Sequence, residues 1–182
     1  MTHVSVFTNP ASSAREAADA YIAATLALLG DGDPMRVLRE TPGWLRDTID
    51  ANPEAALRRP EAPGKWSVSD VVCHLADAEL VWAYRIRMVL AHDGAPLTGF
   101  DQDAFADSCR YGEREVRDAL RVFEAAREAN IWVLERASEE DMTHVAVHAE
   151  RGEEPLPHMI RLEAGHDLVH RRQITRILGA PG

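Results

Sequence analysis

The residues that follow Ser67 carry the pattern that most limits how this chain can fold. From Val68 to about His92, apolar side chains recur every three or four positions, which is the repeat of an α-helix with one buried face. Ser67 is a typical N-cap residue, and Asp70 three positions later completes a capping box. This segment therefore predicts a long amphipathic helix with a defined start.

The region before this helix also predicts helix, but in separate pieces. An Ala-rich stretch, 14–29, places apolar residues at helical spacing and ends at a Gly-Asp-Gly sequence. Asp33 then resembles an N-cap with Pro34 at the first helical position. Thr41-Pro42 repeats that signal, so we expect a further break there. Residues 52–64 contain three prolines and predict a loop.

The second half of the chain predicts two more helices, over about 113–137 and about 157–178. Between them, residues 143–148 alternate weakly, and a turn at 150–153 could bring the chain back, which predicts at most a small extended excursion. Four principal helices joined by connectors of mixed length predict an all-α fold, a four-helix bundle.

Residues 93–112 form a long connector between the second and third principal helices. A connector of that length in a compact domain is usually functional or mobile. The sequence contains no internal repeat and no inter-domain linker, and 182 residues are enough to bury one core. We expect a single domain over residues 1–182, with its core at about 14–178.

Composition narrows the classes of partner. The chain has 30 acidic and 20 basic residues and a formal net charge of −10, which argues against nucleic acid and against anionic membranes. Two cysteines are too few for a disulfide framework. The first residues lack a signal-peptide pattern, and no apolar run approaches the roughly 18 residues of a membrane helix. We expect a cytoplasmic protein with a small-molecule substrate.

Three of the eight histidines fall on inward helix faces. His166 and His170 are four residues apart on the last helix, so their side chains lie on one face, and that face is apolar. Burying an imidazole without a partner costs roughly 1–3 kcal/mol, and a divalent metal would satisfy both rings. His74, on the shoulder of the apolar arc after Ser67, is the best third ligand. The alternative is that each imidazole finds an ordinary hydrogen-bond partner in the core.

The remaining histidines lie at the N-terminus, in connectors or at a helix start, and we expect them to be mostly solvated: His3, His92, His144, His148 and His158. Cys73 points about 100° away from His74 around the helix, so it is not a predicted ligand. Cys109 lies in the connector with no histidine beside it. Glycine-rich phosphate loops, HExxH and CxxC are absent, so nucleotide hydrolysis, zincin proteolysis and dithiol chemistry lack support.

Three polar residues that face inward are weak candidates for catalytic roles. Asn130 falls on the apolar face of the third helix, as either a core amide or a substrate contact. Glu163, three residues before His166, could orient a ligand imidazole, act as a general base, or reach out to the end of the bundle. Arg85 projects from the same side as the candidate ligand on its helix and could attract a carboxylate, although such an Arg is more often solvated or ion-paired.

The segment PGKWSVSDVVCHLADAE, residues 63–79, resembles the second helix of the DinB-like (DinB/YfiT-like) four-helix-bundle superfamily. The segments PLTGFDQDAF, 96–105, and EAGHDLVHRRQITRIL, 163–178, are similar to its pattern too. Order and spacing agree over about 21–178. The W-S-x6-H element together with a terminal H-x3-H is fairly specific for this family.

The resemblance implies a divalent metal bound by His74, His166 and His170, with at least one further coordination position open, and frequent homodimers. Zinc suits imidazole ligands combined with a thiolate, whereas nickel, iron and manganese are alternatives. Characterised members of the family include transferases that use bacillithiol, mycothiol or glutathione. The resemblance therefore implies a thiol S-transferase acting on small electrophiles. A metal-dependent hydrolase and a non-catalytic, stress-related bundle that binds a metal or ligand are the alternatives.

Two other branches of the family fit less well. The ergothioneine-synthase type resembles H-x-x-x-H-x-E, whereas this chain has Arg172 in place of that Glu. The mycothiol-dependent isomerase type has a Glu as the first residue of the terminal ligand pair, where this chain has His166. Neither reaction is expected to transfer directly to this protein.

Overall fold

The structure, a computed structural model, describes residues 15–149 and 151–179. The long helices are α1 (Arg15–Leu29), α2 (Pro34–Asp50), α4 (Val68–Ala91), α6 (Val116–Leu134) and α7 (Leu156–Ile177). The connections contain the short helices α3 (Glu54–Leu57) and α5 (Gln102–Ser108) and the strands β1 (Ala95–Leu97), β2 (Val145–His148) and β3 (Gly152–Pro155). Single 3₁₀ turns lie at Tyr111–Glu113 and Asp141–Thr143.

Helices α2, α4, α6 and α7 form a four-helix bundle, which confirms the predicted fold class. Around the bundle, α4 packs on α6, α6 on α2, α2 on α7 and α7 on α4, while α1 packs on α7. The ion pairs Arg39–Glu135 and Asp50–Arg117 join α2 to α6 at both ends and show that these helices run antiparallel. No helix of the described part of the chain is long and apolar enough to span a membrane.

The start of α4 is fixed by the predicted capping box. The Asp70 backbone N–H donates to Ser67 Oγ at 3.2 Å, and the Ser67 N–H donates to Asp70 Oδ2 at 2.9 Å. Both bonds satisfy N–H groups that a helix start otherwise leaves unpaired. The cap thus sets the register of α4, and His74 follows within its second turn.

The predicted break at Thr41-Pro42 is wrong, because α2 continues through both residues. Pro42 cannot donate the hydrogen bond that would reach the Leu38 carbonyl. That carbonyl instead accepts a hydrogen bond from Arg127 of α6 at 3.1 Å. Continuing the helix also keeps Leu45 on the buried face of α2 with Leu38 and Thr41. Tertiary contacts therefore outweigh the local preference for a break.

The connectors contain more structure than the sequence predicts. The predicted loop 52–64 contains α3, and the connector 93–112 contains β1 and α5. The extended excursion at 143–148 is confirmed as β2, which pairs parallel with β1 and antiparallel with β3. Residue 150, at the start of the predicted turn, lies outside the described residues. A three-residue strand such as β1 is too short to show an alternating pattern.

The buried apolar residues divide into two clusters along the bundle. On α4, one cluster ends at Ala76 and the other begins at Trp82, and the buried carboxylate of Glu79 lies between them. Facing Glu79 are two more buried charged residues, Arg127 of α6 and Asp167 of α7. The bundle therefore contains a charged layer between two apolar layers.

Candidate metal centre

The three predicted ligand histidines lie together between α4 and α7. His166 Nε2 is 3.1 Å from His74 Nε2 and 3.1 Å from His170 Nε2. One ring nitrogen from each residue lies within 4.8 Å of the others. Two nitrogens bound to one tetrahedral ion at about 2.0–2.1 Å are roughly 3.3 Å apart. The spacing of the three nitrogens therefore fits a shared divalent metal.

Burial keeps these imidazoles neutral. His74 is 0% exposed and His170 is nearly as deeply buried. Burial, and then the proximity of His170, lowers the pKa of His74 and of His166 well below the ordinary value. Burial lowers the pKa of His170 to about 4. At neutral pH all three rings therefore offer a lone pair, which is the form that binds a metal.

A hydrogen bond on the far side of the His170 ring selects its ligand nitrogen. His170 Nδ1 lies 2.8 Å from Gln173 Oε1, an acceptor, so the ring proton sits on Nδ1 and the Nε2 lone pair faces the cluster. His166 Nε2 lies 3.1 Å from both His74 Nε2 and His170 Nε2. If it carries a proton, it can donate that proton to only one of the two. The other contact then lacks a hydrogen, and a cation bound between the nitrogens would stabilise it.

His74 shows that ordinary core partners do not satisfy this cluster. Its Nδ1 is buried without a hydrogen-bond partner in the described part of the chain. The ring lies near two aromatic rings, 5.0 Å from Trp66 and 6.3 Å from Phe100 between centroids. Neither indole nor phenyl ring offers an oxygen or nitrogen acceptor. Nε2 is thus the nitrogen through which His74 can make a strong polar contact.

The long connector contributes to the surroundings of the site. Phe100 belongs to the connector, and its ring also contacts Phe105 of α5 at 5.0 Å between centroids. Arg85 of α4 donates to the carbonyl of Thr98, which lies in the same connector two residues before Phe100. The connector thus places aromatic side chains beside His74 and is held to α4 by a buried guanidinium.

Two of the weak catalytic candidates have defined partners elsewhere. Asn130 is a buried core amide that donates to Glu79 Oε1 at 2.6 Å and accepts from Arg87 at 2.7 Å. Arg85 is buried rather than solvated, and besides Thr98 it approaches His148 Nε2 at 3.4 Å. Neither side chain belongs to the histidine cluster.

Glu163 is buried and has no hydrogen-bond partner in the described residues. It is 1% exposed, so it does not reach the end of the bundle, and neither carboxyl oxygen makes a hydrogen bond. Its nearest ionic contact is Arg127 Nε at 3.6 Å. Burial, followed by the charge of Glu79, raises the pKa of Glu163 well above the ordinary value. Burial therefore favours the protonated form of Glu163.

The expectation that the other histidines are mostly solvated is wrong for His148. His148 is 1% exposed, and burial lowers its pKa to about 4. It lies on β2, whose pairing with β1 and β3 turns alternate residues inward. His92 is exposed as expected, His144 and His158 are partly buried, and His3 lies outside the described residues.

The cysteines take no part in the cluster, as predicted. Cys73 is buried with its Sγ 3.9 Å from the Tyr111 carbonyl, and Cys109 is exposed. The residues that sequence reasoning missed are Glu79, Arg127 and Asp167 of the charged layer. Their one sequence signal is that Arg127 occupies a core position in the helical repeat of α6.

Comparisons with known proteins identify the family to which the chain is similar. The model of the DinB superfamily matches residues 36–174. A protein of Geobacillus kaustophilus named "putative metal-dependent hydrolase" is 27% identical over 142 residues, which is 77% of this chain and 79% of the relative. A protein of Oceanobacillus iheyensis with the same designation is 23% identical over 130 residues, 71% of this chain and 75% of the relative.

A solved structure shares the fold. YfiT from Bacillus subtilis, described as a probable metal-dependent hydrolase with an unusual four-helix bundle topology, superimposes with a TM-score of 0.72. The alignment covers 81% of this chain and 87% of YfiT at 19% sequence identity. At that identity the likeness supports the fold alone.

Proposed function

The chain belongs to the DinB superfamily, and on that premise we propose that it is a metal-dependent enzyme. The Nε2 atoms of His74, His166 and His170 would hold one divalent ion. The observation that carries the proposal is the convergence of three neutral imidazoles, two of them buried and that of His166 partly buried, at 3.1 Å contacts. Bonding to a metal through Nε2 would stabilise the fully buried His74 ring, whose one hydrogen-bond contact among the described residues is with His166 Nε2.

Three neutral ligands leave the full charge on the ion, which supplies a Lewis acid that lowers the pKa of a thiol or water at a further position. The protein's own contribution is to hold three lone pairs on one point and to exclude water from one side with Trp66 and Phe100. Zinc is the ion that we propose, because it suits imidazoles combined with a thiolate. Nickel, iron and manganese are the alternatives for the metal analysis.

The reaction that we propose is transfer of a low-molecular-weight thiol, such as bacillithiol, mycothiol or glutathione, to a small electrophile. The sulfur forms a bond to the electrophilic carbon, the leaving group departs with its electron pair, and the thiol proton goes to solvent. Such a reaction needs a thiolate but no separate general base. This agrees with a histidine cluster that contains no carboxylate among the described residues and with the buried Glu163, whose raised pKa favours the protonated form.

Hydrolysis is the second candidate, and the designations of the Geobacillus and Oceanobacillus relatives favour it. It would use the same three histidines with water in place of the thiol. A non-catalytic bundle that only binds a metal or ligand is the third reading. Thiol-dependent turnover separates the first candidate from the other two.

Metal analysis of protein purified without a His tag is the first test. We expect close to one divalent ion per chain, loss of that ion in His166→Ala, and retention of it in the matched control His92→Ala, which changes an exposed histidine. Assays of the metal-loaded protein then compare each thiol plus an electrophile with simple esters and amides. A folded protein that binds no divalent ion would contradict the proposal.

A homodimer and a cytoplasmic location are further parts of the proposal. Both come from the resemblance and the composition described above. Sedimentation analysis of the metal-loaded protein tests the first, with a dimer expected and a monomer at micromolar concentration contradicting it.

A further inference from the structure

A single arginine side chain connects four helices in the middle of the bundle. Arg127 of α6 is 1% exposed. Its Nε and Nη2 donate to Glu79 Oε2 of α4 at 2.9 and 2.7 Å. Its Nη1 and Nη2 donate to Asp167 of α7 at 2.6 and 3.0 Å, and Nη1 also donates to the Leu38 carbonyl of α2 at 3.1 Å.

This network uses every donor that the guanidinium has. Arg carries five N–H groups, and the five hydrogen bonds of Arg127 account for all of them. On the other side, the remaining oxygen of Glu79 accepts from Asn130 at 2.6 Å. A planar donor set that is fully used resists rotation and translation, since any movement breaks a buried bond.

The link to α2 has a cause in the sequence. Pro42 removes the N–H that would normally bind the Leu38 carbonyl, and Arg127 takes its place. The proline therefore leaves the Leu38 carbonyl free to accept at the height of the charged layer. The hydrogen bond from Arg127 to this carbonyl joins α2 to the network that already connects α4, α6 and α7.

The partners of Arg127 lie next to the candidate metal ligands. Asp167 directly follows His166 and precedes His170 by three residues on α7. Glu79 follows His74 by five residues on α4. The two helices that must bring their imidazoles to one point are thus held by the same guanidinium within about one and a half turns of the ligands.

We propose that Arg127 is a positioning residue for the metal site: by binding Glu79 and Asp167 at once, it fixes the distance and register between the helices that carry His74, His166 and His170. The inference rests on the proposed function, because it assumes that the three histidines bind a metal. It goes beyond that function in assigning the geometry of the site to a residue that touches neither metal nor substrate. A purely structural role would affect stability without affecting the metal site specifically.

The charges of the layer agree with a tight Arg127 network. One guanidinium faces three carboxyl groups, and Glu163 at 3.6 Å receives none of the five N–H groups. Burial favours the protonated form of Glu163, and the ion pairs of Arg127 at hydrogen-bond distance are those with Glu79 and Asp167. Arg127 therefore selects two of the three carboxyls, and these are the two that it binds directly.

The test is binding of Co²⁺, whose visible absorption reports the number and geometry of its ligands. Wild type is compared with Arg127→Lys, which keeps the charge but not the five-donor fork. It is also compared with the triple variant Glu79→Met/Arg127→Met/Asp167→Leu, since an apolar replacement of a whole buried ion network commonly folds stably. Circular dichroism and thermal unfolding establish that each protein is folded at the temperature of the titration.

We expect each folded variant to bind Co²⁺ at least about 10-fold more weakly, with altered absorption bands, as is typical when groups that orient metal ligands are removed. The matched control is Ile86→Ala, a fully buried apolar truncation on α4, which should keep the wild-type affinity and spectrum. If the triple variant does not fold, Arg127→Lys decides the question.

Two results would overturn the inference. One is a folded variant of the network with wild-type Co²⁺ affinity and spectrum. The other is an equal loss of affinity in Ile86→Ala, which would show that general loosening is enough. Failure of the wild type to bind Co²⁺ is a different result, because it would contradict the proposed function itself.

Discussion

The bundle contains two buried polar layers that differ in how well their groups are satisfied. In the charged layer, all five donors of Arg127 are used and both oxygens of Glu79 accept hydrogen bonds. In the histidine layer, three imidazole Nε2 atoms meet at 3.1 Å contacts and His74 Nδ1 has no partner among the described residues. Helices α4 and α7 contribute to both layers, so their packing alone does not explain the difference.

Buried polar groups in proteins nearly always have a hydrogen-bond partner, and a buried group without one needs an explanation. In the charged layer, Glu79, Arg127 and Asp167 are satisfied by partners within the chain. In the histidine layer, His74 Nδ1 is unpaired in the described part of the chain and the three imidazoles meet one another, and this is the layer that we propose binds a metal. The comparison therefore separates a layer that is satisfied within the chain from the layer of the proposed metal site.

Removing the centre of the satisfied layer should have the largest effect on stability. Arg127→Met leaves Glu79 and Asp167 buried without their counter-ion, which typically costs about 3–5 kcal/mol. Urea unfolding of the metal-free protein measures this loss. His74→Ala in the same metal-free state should cost clearly less, because it removes one neutral contact, between His74 Nε2 and His166 Nε2, and leaves no buried charge without a counter-ion. Equal losses in the two variants would erase the distinction between the layers.

The unsatisfied layer should weaken the metal-free protein as the pH falls. The pKa of His170 is about 4 in the folded chain and near 6.5 when unfolded. Between those values the unfolded chain binds more protons, so the free energy of unfolding declines as the pH drops from about 6.5 towards 4, by roughly 3 kcal/mol for this residue. His148 adds a shift in the same direction.

Denaturant unfolding at several pH values, after removal of metal with a chelator, measures this decline. His170→Gln should flatten it in part, and His92→Ala, the exposed control, should leave it unchanged. A free energy of unfolding that is constant between pH 7 and pH 4.5 would contradict neutral, buried imidazoles.

Gly165→Ala tests packing outside both layers. A Cβ at Gly165 would lie 2.6 Å from the Thr25 carbonyl oxygen and 2.6 Å from its Cγ2. Helix α1 would have to move away from α7, at a cost of about 1–3 kcal/mol. A lower thermal midpoint is the expected result. Full wild-type stability would mean that the close approach of α1 and α7 at Gly165 is not needed.

Glu163→Gln should have the smallest effect. Burial favours the protonated form of Glu163 in the folded chain, so an amide of the same shape should change stability by less than about 1 kcal/mol at pH 5. Because the folded-state pKa of Glu163 is raised, the free energy of unfolding declines as the pH rises above the ordinary pKa of a glutamate. The Gln variant, which does not titrate, should lose that decline. Unfolding at pH 5 and pH 8 measures the difference. A variant that loses more stability at pH 8 than at pH 5 would show that Glu163 is ionised.

The sequence predicts the bundle and the histidine cluster because both depend on helical periodicity. The capping box at Ser67 fixes the register of α4, and the i, i+4 spacing of His166 and His170 fixes their common face. Together they are enough to place three imidazoles on facing sides of two helices.

Contacts between distant segments account for what the sequence did not predict. Pro42 predicts a break until the Arg127 donor that replaces its missing hydrogen bond is known. His148 reads as solvated because β1, its strand partner, is only three residues long. The charged layer was missed because an Arg at a core position usually extends its charge to solvent.

The most direct test of the account is X-ray absorption spectroscopy of the zinc-loaded protein at the zinc edge. The account predicts three imidazole nitrogens at about 2.0–2.1 Å, and one fewer in His74→Ala. Addition of a thiol substrate should introduce one sulfur at about 2.3 Å. Zinc held mainly by oxygen, or a spectrum that His74→Ala leaves unchanged, would contradict a metal centre formed by His74, His166 and His170.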